Sequence, residues 1–473
     1  MVGETRFIDV DRWTLIPEPK HLMLTGGLVG LPFSGRISES ANVSDHGRVF
    51  AHQLLEDLRR HAGLHWQLSA REGDPGFINL VIGKTYETAS AVGSYTLDIE
   101  TNGITIQGAD TEGVRNGVQT LRQLIHQCGG ALPALSIVDV PVLTTRSYRI
   151  DTTQGRVPTL EWLKTWADKL CYYKYNQLQL KTEHVASDSE VWGDFHNSDT
   201  LTSTDIMELS EYCADREIEL VETADKDDRD VPCVTWGCDT LLPRLADAWN
   251  GISSMAKTAQ SQRLRGLAIA ASGDCWQVRD PRMSVPAMIF GAHCAWKPNA
   301  YADETRILVR ISLLEYADRT GTTAQLLRTA SQAVCFSWNA LDECLRASDG
   351  EGFDGDSLRE TLREIPDSCS AMNEQLKLCA LQLSPIVAVG RDDDWPSVLA
   401  TALHGQIIIN QVGVYLSGRS DGGDWRALAD ELEGWMRVYE RQWMQVSRPA
   451  GLHHIGQVVW KTHDLLWKHA SIV

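Results

Sequence analysis

No stretch of this chain approaches the roughly 20 consecutive apolar residues that a membrane-spanning helix needs. None of its 11 cysteines falls in a paired CxxC spacing, and their number is odd. They therefore read as reduced thiols, not as a disulfide framework or a zinc site. Gly-rich phosphate loops are missing too, which excludes Walker and dinucleotide-binding patterns. Positive charge is short: 44 Lys and Arg stand against 63 Asp and Glu, a balance of −19. That argues against nucleic acid or an anionic membrane as partner and fits a solvated acidic surface. No cofactor and no metal are expected. The first residues, MVGETRFIDVDRW, carry charges where a signal peptide would have an apolar core, so a cytoplasmic location is expected.

What is present is ordinary in bulk. The chain has 473 residues, 43% hydrophobic and 23% charged, enough for two or three domains with sizeable cores. Its 16 tryptophans are many. Most should pack in cores, though indole also suits stacking on sugar rings.

Residues 1–143 read as a compact α+β unit. FINLVIG (77–83) is a strand, and SYTLDIETNGITIQGAD (94–110) is a hairpin turning at Asn102-Gly103. The segment 111–127 then sets Val114, Val118, Leu121, Leu124 and Ile125 at helical spacing, giving one apolar face. Residues 144–300 alternate strands (147–151, 176–182, 218–223, 232–237 and 266–271) with helical stretches, which predicts parallel strands and crossover helices. Thr159 and Thr202 mark helix starts, the second with Asp205 as a capping-box partner. Residues 301–473 are helical almost throughout, in four long amphipathic stretches including TAQLLRTASQAVCFSWNALDECL, and predict an appended helical domain.

GVRNGVQTLRQLI followed by LPALSIVDVP resembles the N-terminal accessory domain of family 20 glycoside hydrolases, the β-N-acetylhexosaminidase type, and its junction with their barrel. TTRSYRIDTTQGRVPTLEWLKTWADKLCYYKYNQLQLKTEH resembles the first two strand–helix units of that barrel. LTSTDIMELSEYCADREIELV resembles the approach to the third strand, RGLAIAASGDCWQ the last strand, and VSRPAGLHHI the closing segment of a bacterial subgroup. The resemblance implies an α/β fold with a TIM-barrel-like (β/α) catalytic domain. It further implies removal of terminal N-acetylhexosamine from a glycan by substrate-assisted retaining hydrolysis, an exception to the two-carboxylate scheme. There an Asp orients the substrate acetamide and the adjacent Glu protonates the leaving oxygen, both at the end of the fourth strand.

That pair is not found. IELV runs into ETADKDDRDVPCVTWGCDT, whose later part resembles the sixth strand, so the fourth and fifth strands and most of the seventh are absent. From Arg146 to Trp296 is about 150 residues, whereas an eight-stranded barrel needs at least ~200. The expected catalytic domain is thus a barrel lacking several strands, and a catalytically dead carbohydrate-binding or scaffold relative is the alternative function. Asp303-Glu304 and Asp342-Glu343 lie in helical patterns and read as surface charges. Glu183 and Asp239 are weak stand-ins, each following a strand at the end where barrel sites gather. By resemblance, Arg146, His184, Trp236, Trp249, Asp274 and Trp276 would contact the sugar. Arg146 has a salt bridge at the domain junction as its alternative role, and the tryptophans have core packing. Asp151 suits a structural cap as well as a ligand contact. Ser272 replaces a tryptophan of the family pattern.

Overall fold

The computed structural model describes residues 13–40, 47–69, 76–83, 91–153, 155–182, 200–223, 228–237, 239–271, 277–299, 304–348, 362, 369–383, 394–418 and 424–470. Its first sheet has seven strands: β1 (His21–Gly30), β2 (Arg36–Glu39), β3 (Gln67–Leu68), β4 (Ile78–Ile82), β5 (Tyr95–Glu100), β6 (Gly103–Gly108) and β7 (Ala131–Asp139). Their order is β1-β7-β5-β6-β4-β2-β3. The Asn102-Gly103 turn joins β5 to β6 as expected, with Leu97 opposite Ile106 and Ile99 opposite Ile104.

Helices α1 (Gly47–Ala62) and α2 (Thr111–Cys128) pack on this sheet. Asp110 caps α2 by accepting from the Gly113 N–H at 2.7 Å. Gly113 has no room for a side chain, since a Cβ there would stand 2.2 Å from the Ser94 carbonyl. Val114, Val118, Leu121, Leu124 and Ile125 are fully buried, each worth about 1.5–3 kcal/mol of transfer free energy for a fully buried large side chain. The opposite, polar face of α2 is buried as well: Arg115, Asn116, Gln119 and Gln123 are 0–1% exposed. The helix is a wall shared by two layers.

On its far side lies the second sheet: β8 (Thr145–Asp151), β9 (Gln177–Lys181), β10 (Glu219–Thr223), β11 (Cys233–Trp236) and β12 (Gly266–Ala271). Its order is β10-β9-β8-β12-β11 and every pairing is parallel. Helices α3 (Leu160–Tyr172), α4 (Ser203–Ala214) and α5 (Leu245–Ser261) make the crossovers β8–β9, β9–β10 and β11–β12. Thr159 and Thr202 cap α3 and α4 as read from sequence, Thr202 in a full capping box with Asp205. Taken as a circle the strand order is sequential, and the circle is open between β10 and β11. Among the described residues no pairing joins these two edges, so this sheet is open and the closed form of a TIM barrel is not seen in them. Only nine residues, 224–232, separate β10 from β11, fewer than the dozen or more of a parallel crossover.

The remaining helices are α6 (Val285–Trp296), α7 (Glu304–Leu314), α8 (Thr323–Ala330), α9 (Trp338–Ser348), α10 (Cys369–Leu383), α11 (Trp395–Leu416), α12 (Trp425–Val446) and α13 (Leu452–Ala470). The stretch expected as one helix over TAQLLRTASQAVCFSWNALDECL breaks into α8 and α9. The cause is a buried Asn410, whose amide oxygen accepts from the Cys335 and Phe336 N–H groups while its nitrogen donates to the Ala333 carbonyl. These contacts replace helical hydrogen bonds. One core runs from the first sheet through the second to α11, and a smaller one gathers Trp338, Trp435 and Trp443. The VSRPAG segment docks on the loop after β8: Arg448 N–H donates to Val157 and Thr159 N–H to Val446. Gly451 sits at φ +78°, and a Cβ on it would fall 2.1 Å from the Gly155 carbonyl.

Candidate functional site

In a parallel sheet the strand side chains alternate between two faces. Register puts Arg146, Tyr148 and Ile150 of β8 on one face with Leu267 and Ile269 of β12 and Val234 and Trp236 of β11. That face is covered by helices: Tyr148 meets Trp166 of α3 with ring centroids 5.3 Å apart. The other face carries Ser147, Arg149 and Asp151 beside Gln177, Gln179 and Lys181.

This second face is polar and linked. Arg149 Nε donates to Gln179 (2.9 Å), Gln179 to Gln177 (2.9 Å), and Gln177 to Glu219 (2.8 Å). At its C-terminal end Asp151 lies 3.6 Å from the Lys181 ammonium and accepts from the Thr153 N–H and hydroxyl at 2.9 and 2.6 Å. The cap reading of Asp151 is thereby seen in geometry, but the same carboxylate also closes the polar face. Beside it a shallow concavity is lined by Arg149, Asp151, Arg156, Trp162, Gln277 and Arg279, among others. Arg156 is held there, donating to the Gln277 carbonyl, Ser447 and Tyr439, with its guanidinium 3.5 Å over the Trp443 ring. Guanidinium and amide donors around one carboxylate suit a hydroxyl-rich or anionic ligand. Arg149, Gln179 and Lys181 were not singled out from sequence, although their alternate spacing in SYRID and NQLQLK was there to see.

Of the described residues singled out for sugar contact, Arg146, Trp236 and Trp249 do not join Asp151 on this polar face. Arg146 lies at the opposite end of β8, 1% exposed. Its guanidinium donates to the Lys174, Leu143 and Thr144 carbonyls and to Glu112, 5.2 Å from the Trp296 ring. This corrects its assignment to sugar binding, because a guanidinium so engaged has the junction role. Burial tends to raise the Glu112 pKa, but Arg146 and Arg115 outweigh it and hold that carboxyl below its ordinary value. Trp236 is 3% exposed on the helix-covered face, and Trp249 of α5 is stacked on Phe290 of α6 at 4.1 Å, so both pack the core. Asp239 makes a two-pronged pair with Arg244 at 2.7 and 3.1 Å, which engages both of its oxygens. Of the other acidic pairs, Glu304 bonds Arg328, and Asp342, expected on the surface, is 8% exposed and bonds Arg346. Glu183, His184, Ser272, Asp274, Trp276 and Asp303 lie outside the described residues.

Residues 12–140 match the model of glycosyl hydrolase family 20, domain 2. A β-hexosaminidase of Akkermansia muciniphila is 29% identical over 28% of this chain and 31% of its own length. One of Vibrio vulnificus is 32% identical over 22% of this chain and 12% of its own. The chain therefore matches under a third of either relative. Among solved structures, the Streptomyces plicatus N-acetyl-β-hexosaminidase bound to Thio-NAglucal is 16% identical, with 68% of this chain and 95% of that one covered at a TM-score of 0.47. The first sheet with α1 and α2 is thus the part of the chain that is similar to domain 2 of the family 20 glycosyl hydrolases.

Proposed function

We propose that this chain is a β-hexosaminidase-like protein whose hydrolytic site is incomplete, and that it serves as a carbohydrate-binding or scaffold protein for glycans containing N-acetylhexosamine. The observation that carries the reading is the open strand order, interrupted between β10 and β11 where the family's catalytic strand would stand. We read residues 144–300 as a barrel from which strand–helix units have been lost, set between the unit 1–143 and the helical unit 301–473. The described acid candidate, Asp239, is tied to Arg244. Sugar recognition would fall to the polar end of the sheet, with Asp151, Lys181, Arg149 and Gln179 meeting hydroxyls.

The second reading is hydrolysis of terminal N-acetylhexosamine by substrate-assisted retention. It is favoured by the place of Glu183 in the sequence, two residues after β9, because the acids of parallel (β/α) enzymes follow the C-terminal ends of strands. Incubating the purified chain with a fluorogenic β-N-acetylglucosaminide separates the two. No release of fluorophore, with N-acetylglucosamine still shifting the NMR signals of the Arg149 or Gln179 side chains, is the expected result. Turnover that disappears in Glu183→Gln would overturn the proposal in favour of the hydrolase.

A further inference from the structure

One group of ligand-bearing side chains stands between α1 and the last turn of α2, against Tyr172 at the end of α3. Asp57 and His61 are four residues apart on α1 and so share a face, and the last turn of α2 brings His126 against them. One ligand atom from each residue lies within 4.8 Å of the others. The Asp57 and His126 side chains are 7% and 16% exposed, at the rim of the helix pair. Burial acts to raise the Asp57 pKa, but the bonds from His126 and Arg122 prevail and bring it down to about 2, so the carboxylate is ionised. His126 Nδ1 lies 3.0 Å from the Tyr172 hydroxyl.

We propose that Asp57, His61 and His126 form a binding site for a divalent cation of the zinc class, with a coordination position left to water. Two imidazoles and a carboxylate are donors that zinc accepts, whereas magnesium and calcium prefer oxygen alone. Asp57 Oδ1 faces His126 Nε2 at 3.0 Å, and Arg122 Nε is bound to the other oxygen, Oδ2, at 2.6 Å. A cation between the three would take Oδ1 and leave the Arg122 bond in place. His126 would bind through Nε2 with its proton on Nδ1, donated to Tyr172, whose hydroxyl can accept as readily as donate. Such an outer partner fixes the ring and its tautomer. The Arg122 charge opposes the ion, but it sits on the far side of a carboxylate that neutralises it.

The competing account is a purely structural clamp, Asp57 held by Arg122 and His126, beside which His61 packs on His126 at 4.2 Å between ring centroids. Replacing His61 separates the accounts, because the clamp does not use it. The full chain is titrated with Zn2+ against a chromophoric chelator, beside His61→Ala and the closer-sized His61→Asn. Melting curves without metal establish that the variants are folded. One Zn2+ per chain is expected, unaffected by Mg2+ and raising the Tm. In both variants affinity should fall at least about 10- to 100-fold, the loss seen even for outer-shell partners. No binding by the parent chain overturns the proposal, as does binding that survives both substitutions, which would place the ion elsewhere, for example on His453 and His454.

Discussion

The two ends of the five-stranded sheet are built to opposite specifications. At the N-terminal ends of the strands, charge is buried and each group has several partners. Arg146 reaches Glu112 and three carbonyls, Arg115 donates to the carbonyls of Tyr175 and Glu217, and Lys174 lies 2.9 Å from the Tyr95 hydroxyl. Asp139 accepts from Tyr95 and from the Trp296 indole at 2.9 and 3.0 Å. Toward the C-terminal ends stand a guanidinium and one Asp–Lys pair, with Arg149 and Asp151 lining a concavity. In parallel (β/α) proteins the first end secures the fold and the second holds the chemistry. Here the securing end is complete, while the other carries no acid pair among the described residues.

The comparison can be broken at its strongest point. Arg146→Ala should destabilise the chain by about 3–5 kcal/mol, since it takes the nearest cation from Glu112 and leaves the Lys174, Leu143 and Thr144 carbonyls without this donor. Urea denaturation measures this, and a loss below about 1 kcal/mol would mean that the junction is not what holds the layers together. Any loss of ligand binding in that variant would then follow from unfolding, which makes Arg146 a poor probe of sugar contact.

The contrast was only partly legible in the sequence. The alternation of strands and crossover helices, the Asn102-Gly103 turn and the Thr159 and Thr202 caps could be read because each depends on neighbouring residues. The role of Arg146 could not, since its partner Glu112 is 34 residues away on another element. The burial of the polar face of α2 was hidden for the same reason: pattern reveals which side is apolar, not what covers the other. Trp236 and Trp249 were placed near sugar by resemblance, and register and stacking moved them into the core. No metal was expected because the cysteines lack spacing, while the Asp57, His61 and His126 grouping needs two helices to meet.

The next effect is sharper in pH than in size. Burial lowers the Lys174 pKa to about 8, even with Asp139 opposing. Between about 8 and the ordinary 10.5 the unfolded chain therefore binds more protons than the folded one, so stability from this group rises with pH. The cost of burying the ammonium is full below pH 8 and is relieved above it, by at most about 3 kcal/mol for a shift of this size. Melts at pH 8 and pH 10 should show that upward slope in the parent and lose it in Lys174→Met. An unchanged slope would mean that the ammonium finds water at the junction.

The smallest effect belongs to the other end. Asp239→Ala removes a pair whose arginine is 43% exposed, and should change stability by no more than about 1 kcal/mol. A larger loss, seen in the same urea experiment, would show that the C-terminal ends bear structural weight after all.

The double burial of α2 has a consequence for how such proteins can be assembled. Part of its hidden polar face reaches the second layer, Arg115 donating to the Tyr175 and Glu217 carbonyls and Gln123 to that of Tyr172, whereas Asn116 and Gln119 bond within the first. Separating the two layers would expose few greasy side chains from that helix, only amides and a guanidinium ready for solvent. The apolar core that both sheets share would open instead, so the polar contacts of α2 set how the layers dock while the core holds them together.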